Sequence, residues 1–236
     1  MKKYVEVFWA PWRDTCNYED LWVDTVYLPP APLMSIAHST VQDERKHLYN
    51  CPVVKRIIQN DFAIKAPIDL TLSFDEKNTI NTDRYGQDFF NKSIYNRSTP
   101  EGAIILTTVP KYLFFSKEFV EMSVLDLPII SSESSKNIKI IPGKYDISKW
   151  VRPIDFTFTV IDKKQPVNLV AENPIFAVRF HTPNNVPVKM TRFELTQDTI
   201  NNATSMTFVK NYRQFLPLSK LYELAEGVMQ AIKKRH

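Results

Sequence analysis

His47 and Cys51 stand four residues apart, a spacing that puts imidazole and thiol on one face of a helix, as an activated cysteine nucleophile requires. Pro52 follows at once and suits a first helical turn, so Cys51 is expected at a helix start, where the positive end can lower a thiol pKa. Nothing recognisable in the sequence orients the imidazole, and a buried cysteine most often serves as a small apolar side chain. That plainer reading outweighs nucleophilic catalysis.

Metal binding is the second chemistry to weigh, because double-stranded β-helix folds hold iron through two histidines and a carboxylate. The usual His and Asp two positions apart on one strand are missing. The histidines read His38-Ser39-Thr40, His47-Leu48-Tyr49, His181-Thr182-Pro183 and His236. A non-standard site on His38, His47 or His181 stays open. Charged residues in strand-like surroundings are third: Arg152 and Asp155, Arg179 between Val178 and Phe180, and Arg192 before Phe193. An arginine in a barrel mouth can clamp a carboxylate through two parallel hydrogen bonds, but such residues more often form ion pairs on the wet face of a sheet.

Composition narrows the field further. Of 236 residues only 4 are Gly, where ordinary usage of about 7% would supply roughly 17, so glycine-cradled phosphate loops lack material. The 16 prolines must supply much of the punctuation instead. With 44% hydrophobic, 12% aromatic and 24% charged residues, the chain reads as globular. A formal charge of +4, spread along the chain, does not mark a nucleic-acid surface. The basic end Lys233-Lys234-Arg235-His236 reads mainly as cations closing a helix C-terminus. Cys16 and Cys51 could pair, but no signal-peptide-like apolar run opens the chain, so a reducing, intracellular setting is expected. No stretch reaches the roughly 20 apolar residues of a membrane span.

The elements that must position these residues are mostly short strands. Alternation or apolar runs predict strands at Val5–Phe8, at 62–64 and 68–74 hinged by Pro67, and at 103–109, 112–115, 119–127 and 138–141. PGKY at 142–145 reads as a turn. In the run WVRPIDFTFTV, Ile154, Phe156, Phe158 and Val160 face one side and Asp155, Thr157 and Thr159 the other, the period of a half-buried strand. Further strands are expected at 167–170, 175–180 and 189–195, a short helix after Pro52, and a polyproline strap at Leu28–Pro32.

Residues 75–101, rich in Asn, Asp, Ser and Arg, read as a long excursion between strands. Its aromatics Tyr85, Phe89, Phe90 and Tyr95 are the candidate partner contacts, with a mobile loop as the equal alternative. The chain's end changes period: Leu218, Leu221, Tyr222, Ala225, Val228, Met229 and Ile232 form an apolar stripe, which predicts an amphipathic helix over 217–235. Covering the chain's own sheet is the favoured use of that stripe, ahead of docking on another subunit.

Cys51-Pro52, the segment Phe62 to Leu70, and Gly143 to Phe156, with Asn173-Pro174-Ile175-Phe176 downstream, resemble an uncharacterised group of conserved proteins of marine T4-like phages. More distantly the chain looks like a bacterial family of unknown function. The resemblance spans 50–181 and carries no functional residue. It implies a phage-encoded protein, in the cytoplasm of the infected host cell or in the virion.

The expectation is therefore a single domain over 1–236, mainly β: an antiparallel β-sandwich or jelly-roll-like fold with a long insertion and a C-terminal amphipathic helix. Its expected function is that of a non-enzymatic structural or assembly protein acting through protein contacts, with itself or with phage particle components. No catalytic residue, cofactor, membrane or nucleic-acid partner is assigned. The rival is a metal-dependent small-molecule enzyme on a double-stranded β-helix.

Overall fold

The computed structural model describes residues 4–13, 27–39, 50–82, 94–98, 102–108, 112–128 and 130–235. Four sheets carry the fold among them. The first runs β15 (Val188–Arg192), β1 (Val5–Pro11), β8 (Tyr112–Phe115). The second has five strands: β11 (Gly143–Asp146), β9 (Glu121–Leu125), β14 (Pro174–His181), β3 (Asp61–Lys65) and β2 (Ala31–Pro32). The third runs β10 (Ile138–Ile140), β12 (Thr157–Val160), β7 (Ile105–Thr108), β6 (Ile94–Asn96), and the fourth β13 (Val167–Leu169), β4 (Leu70–Phe74), β5 (Ile80–Thr82). The helices are α1 (Leu33–Ser39), α2 (Pro52–Ile58), α3 (Gln197–Tyr212) and α4 (Leu218–Arg235).

One apolar core joins the inward faces of all four sheets, with Val7, Phe62, Leu72, Leu106, Met122 and Val178 among its members. Alternation explains the membership: Leu70 and Leu72 are buried while Thr71 and Ser73 are exposed, as a strand with one wet face requires. The fold is thus mainly β, antiparallel and sandwich-like, with a C-terminal helix.

β1 and β8 break that alternation, because the first sheet is buried on both sides. Val5, Val7, Trp9, Tyr112 and Phe114 enter the sandwich core. Phe8, Ala10, Leu113 and Phe115 face the other way, into a second core closed by α3 and α4. Leu221, Ala225, Met229 and Ile232 of α4 supply its buried stripe, so the C-terminal helix covers the chain's own sheet as its period predicts. A third cluster places Leu33 and Ala37 of α1 and Ile58 of α2 over Ala63 of β3, on the outer face of the five-stranded sheet.

Several expectations need correction. Where the sequence reads an excursion over 75–101, β5 pairs with β4 and β6 pairs with β7. The β4–β5 turn is closed by Asp75, whose carboxylate accepts from the N–H groups of Lys77 and Thr79, with Asn78 at φ 61°. Gly143 to Tyr145 form strand rather than turn, paired with β9. Ile154 and Phe156 are buried as their period requires, yet regular strand starts only at Thr157; before it the chain meets β8 only through an isolated bridge of Pro153 with Leu113 and the Ile154 N–H donating to the Tyr112 carbonyl. The predicted strand at 189–195 is β15, parallel to β1, and Phe193 and Leu195 then leave it for the second core.

Helix α3 has no counterpart among the expected elements. Its buried positions are Thr199, Ile200, Ala203 and Met206, so the inward stripe contains a threonine and an alanine and shows weakly in the sequence. Thr196 caps it, the hydroxyl accepting from the Thr199 N–H at 3.2 Å.

Candidate functional site

β14 is the centre of the five-stranded sheet, and on its outer face Arg179 and His181 project two residues apart. Across the ladders Arg179 lies opposite Asp61 of β3 on one side and Ser123 of β9 on the other, and Ser123 lies opposite Lys144 of β11. Asp61, Arg179, Ser123 and Lys144 therefore form one cross-strand row. α1 and α2 cover the sheet beside it, at Ala63, and leave the row open.

The Asp61 side chain is fully buried, and Arg179 answers it with two hydrogen bonds of 2.7 Å, from Nε to Oδ1 and from Nη2 to Oδ2. These bonds to the carboxylate raise the Arg179 pKa, so its charge is fixed. The His181 Nε2 lies 2.9 Å from the Ser123 Oγ. Burial, then the charges of Lys144 and Arg179, lower the His181 pKa from its ordinary 6.5, and the carboxylates of Glu121 and Asp61 only partly oppose this. Burial thus favours the neutral ring. Lys144 pairs with Glu121 at 2.8 Å on the exposed rim.

Ser and His at hydrogen-bond distance suggest acyl transfer, but the surroundings do not supply the rest. Ser123 sits mid-strand between two partners, so the backbone N–H groups around it belong to the ladders and form no oxyanion hole. The row can bind and orient a ligand.

Two shallow clefts adjoin here, and Arg179 and His181 line both. One, of about 310 Å³, opens over Ser123, Leu125 and Pro142 to Lys144. The other, of about 480 Å³, lies between β14 and Val53, Arg56 and Ile57 of α2. The far wall is held by side-chain amides: Asn185 donates to the Arg56 carbonyl at 2.8 Å, and Gln59 donates to the Asn185 carbonyl at 2.8 Å. Asn184 and Asn185 both have positive φ, a conformation asparagine tolerates.

Of the residues singled out in the sequence, Tyr85, Phe89, Phe90, His47 and Cys16 lie outside the described residues. Tyr95 is on β6 and exposed. His38 falls in α1. Cys51 is a free thiol preceding α2. The amides of Val54 and Val53 lower its pKa without a capping hydrogen bond. Arg152 meets Asp155 at 3.5 Å, and Lys210 of α3 reaches the same Asp155 oxygen at 3.4 Å. Arg192 lies over the Trp9 ring at 5.7 Å. Lys233 and Lys234 fall in the last turn of α4, which ends at Arg235. Among the described residues no group of three or more His, Cys, Asp or Glu side chains is placed to hold a metal ion. Among them, too, no helix is long and apolar enough to cross a membrane.

A second feature lies where α3 turns into α4. Phe208, Tyr212 and Phe215 are 58%, 67% and 74% exposed, although large aromatics usually serve as core. The rings of Phe208 and Tyr212 lie 4.1 Å apart, so they form one patch, and Leu218 beyond the turn is exposed too. Sequence reasoning missed this elbow, because it depends on α3, and it missed Ser123, Asp61 and Lys144, which only the strand register brings to Arg179.

No family model, curated protein or solved structure matches the chain.

Proposed function

We propose that the protein is a non-enzymatic β-sandwich of phage type that works through contacts with other proteins, in the virion or during its assembly in the infected cell. The observation that carries this reading is the elbow of Phe208, Tyr212 and Phe215: two adjoining exposed rings at the end of α3 and a third exposed ring in the connection to α4. Exposing them costs hydration free energy that an apolar partner surface would recover, and aromatic anchors of this kind dominate protein interfaces. The backbone around Ser123 supports the non-enzymatic part, since it offers a nucleophile no oxyanion donors.

Replacing Phe208, Tyr212 and Phe215 together by Ser tests the reading. The variant is expected to keep the wild-type melting temperature and to drop out of the assembly that the wild-type protein enters. Unchanged incorporation overturns it.

A further inference from the structure

The row on the five-stranded sheet shares no residue with the aromatic elbow, and its chemistry is different. We propose that the double cleft astride Arg179 binds an organic phosphomonoester, its phosphate held by Arg179, Ser123 and Lys144 and its apolar body laid against Val53 and Ile57.

Donor geometry argues for phosphate. Arg179 commits its Nε and Nη2 edge to Asp61, which holds the guanidinium rigid, while its Nη1 donates to no described residue. The side-on fork that suits a planar carboxylate best is therefore already occupied. What remains is a set of single donors arriving from separate strands: an Arg179 N–H from β14, the Ser123 hydroxyl from β9 and the Lys144 ammonium from β11. Three donors on neighbouring strands that line one cleft suit the several oxygens of a tetrahedral group. His181 completes the set, because its Nε2, 2.9 Å from the Ser123 Oγ, holds the hydroxyl in place at the cleft.

Charge balance agrees. Arg56, Arg179 and Lys144 line the clefts, while Asp61 and Glu121 are the acidic neighbours and are engaged by Arg179 and Lys144. An anion entering the site meets excess positive charge. The apolar wall argues for an organic body rather than free phosphate. Val53 and Ile57 on α2 are 65% and 54% exposed at the edge of the larger cleft, where a hydrocarbon group next to the phosphate would cover them.

Isothermal titration calorimetry of the full chain at constant ionic strength, with phenyl phosphate and with inorganic phosphate, tests the site. Phenyl phosphate is expected to bind saturably, one per chain, and more tightly than inorganic phosphate. Lys144→Gln, an exposed change that leaves the fold intact, is expected to weaken both about tenfold through loss of one charge-assisted contact. Ile57→Ser is expected to erase the preference for phenyl phosphate, and Lys220→Gln on α4 to change nothing. Absent saturable heat, equal affinity for the two probes, or wild-type binding by Lys144→Gln overturns the proposal.

Discussion

Arg179 donates two hydrogen bonds of 2.7 Å to Asp61, whose side chain has no exposure while that of Arg179 keeps 26%. One partner is wholly buried and the other reaches the surface, so the pair ties the sheet interior to its open face. Removing the guanidinium leaves a carboxylate inside with no counter-charge. Arg179→Met is expected to cost about 3 kcal/mol, the scale for breaking a buried pair from one side. Equilibrium urea unfolding measures it, and a loss within experimental scatter of wild type would mean that Asp61 is satisfied by other groups.

His181 gives a pH dependence of known sign. Its folded pKa lies below the ordinary 6.5, chiefly through burial and then through Lys144 and Arg179. The unfolded chain therefore binds the proton more readily than the folded one, and stability falls as pH drops below about 6.5 toward the folded value. Thermal melts between about pH 7.5 and pH 5 should show the wild type losing more than His181→Gln. Equal slopes would place the effect on other groups.

Helix α4 is held by a narrow stripe. Ile232 is fully buried in the second core and Leu224 is 55% exposed on the same helix. Ile232→Ala is expected to cost roughly 2–4 kcal/mol, and Leu224→Ala no more than about 0.5 kcal/mol. Denaturant midpoints decide, and similar losses at both positions would contradict the placement of the helix on its own sheet.

The cap of α3 is separable from its packing. The Thr196 hydroxyl accepts from the Thr199 N–H, and Thr196→Ala is expected to cost about 1 kcal/mol. Thr196→Ser keeps the acceptor and should restore most of it. A serine variant as unstable as the alanine one would assign the loss to the methyl group instead.

The parts of this fold that were legible in the sequence are those written in a single segment. The alternation at Leu70 to Phe74, the buried run at Ile154 to Phe158, and the α4 stripe state their own burial. Helix α3 was hidden because its inner face holds Thr199 and Ala203 while Phe208 and Tyr212 point to water, which inverts the usual pattern. The Gly143–Asp146 strand was hidden because its turn-like residues are exposed at an edge, where pairing with β9 alone makes them strand. Arg179 was visible as a charge on a strand, and its ion pair is the plain outcome expected of such residues. Its neighbours Ser123 and Lys144 depend on register between strands far apart in sequence, which no local pattern records.

Cross-linking mass spectrometry in cells that produce the protein tests the protein-contact account most directly, with the Lys220 amine as reporter beside the elbow. The account predicts cross-links from Lys220 to another protein chain, present in wild type and lost when Phe208, Tyr212 and Phe215 are all serine. Absence of such cross-links in wild type, or their persistence in the triple variant, would contradict it.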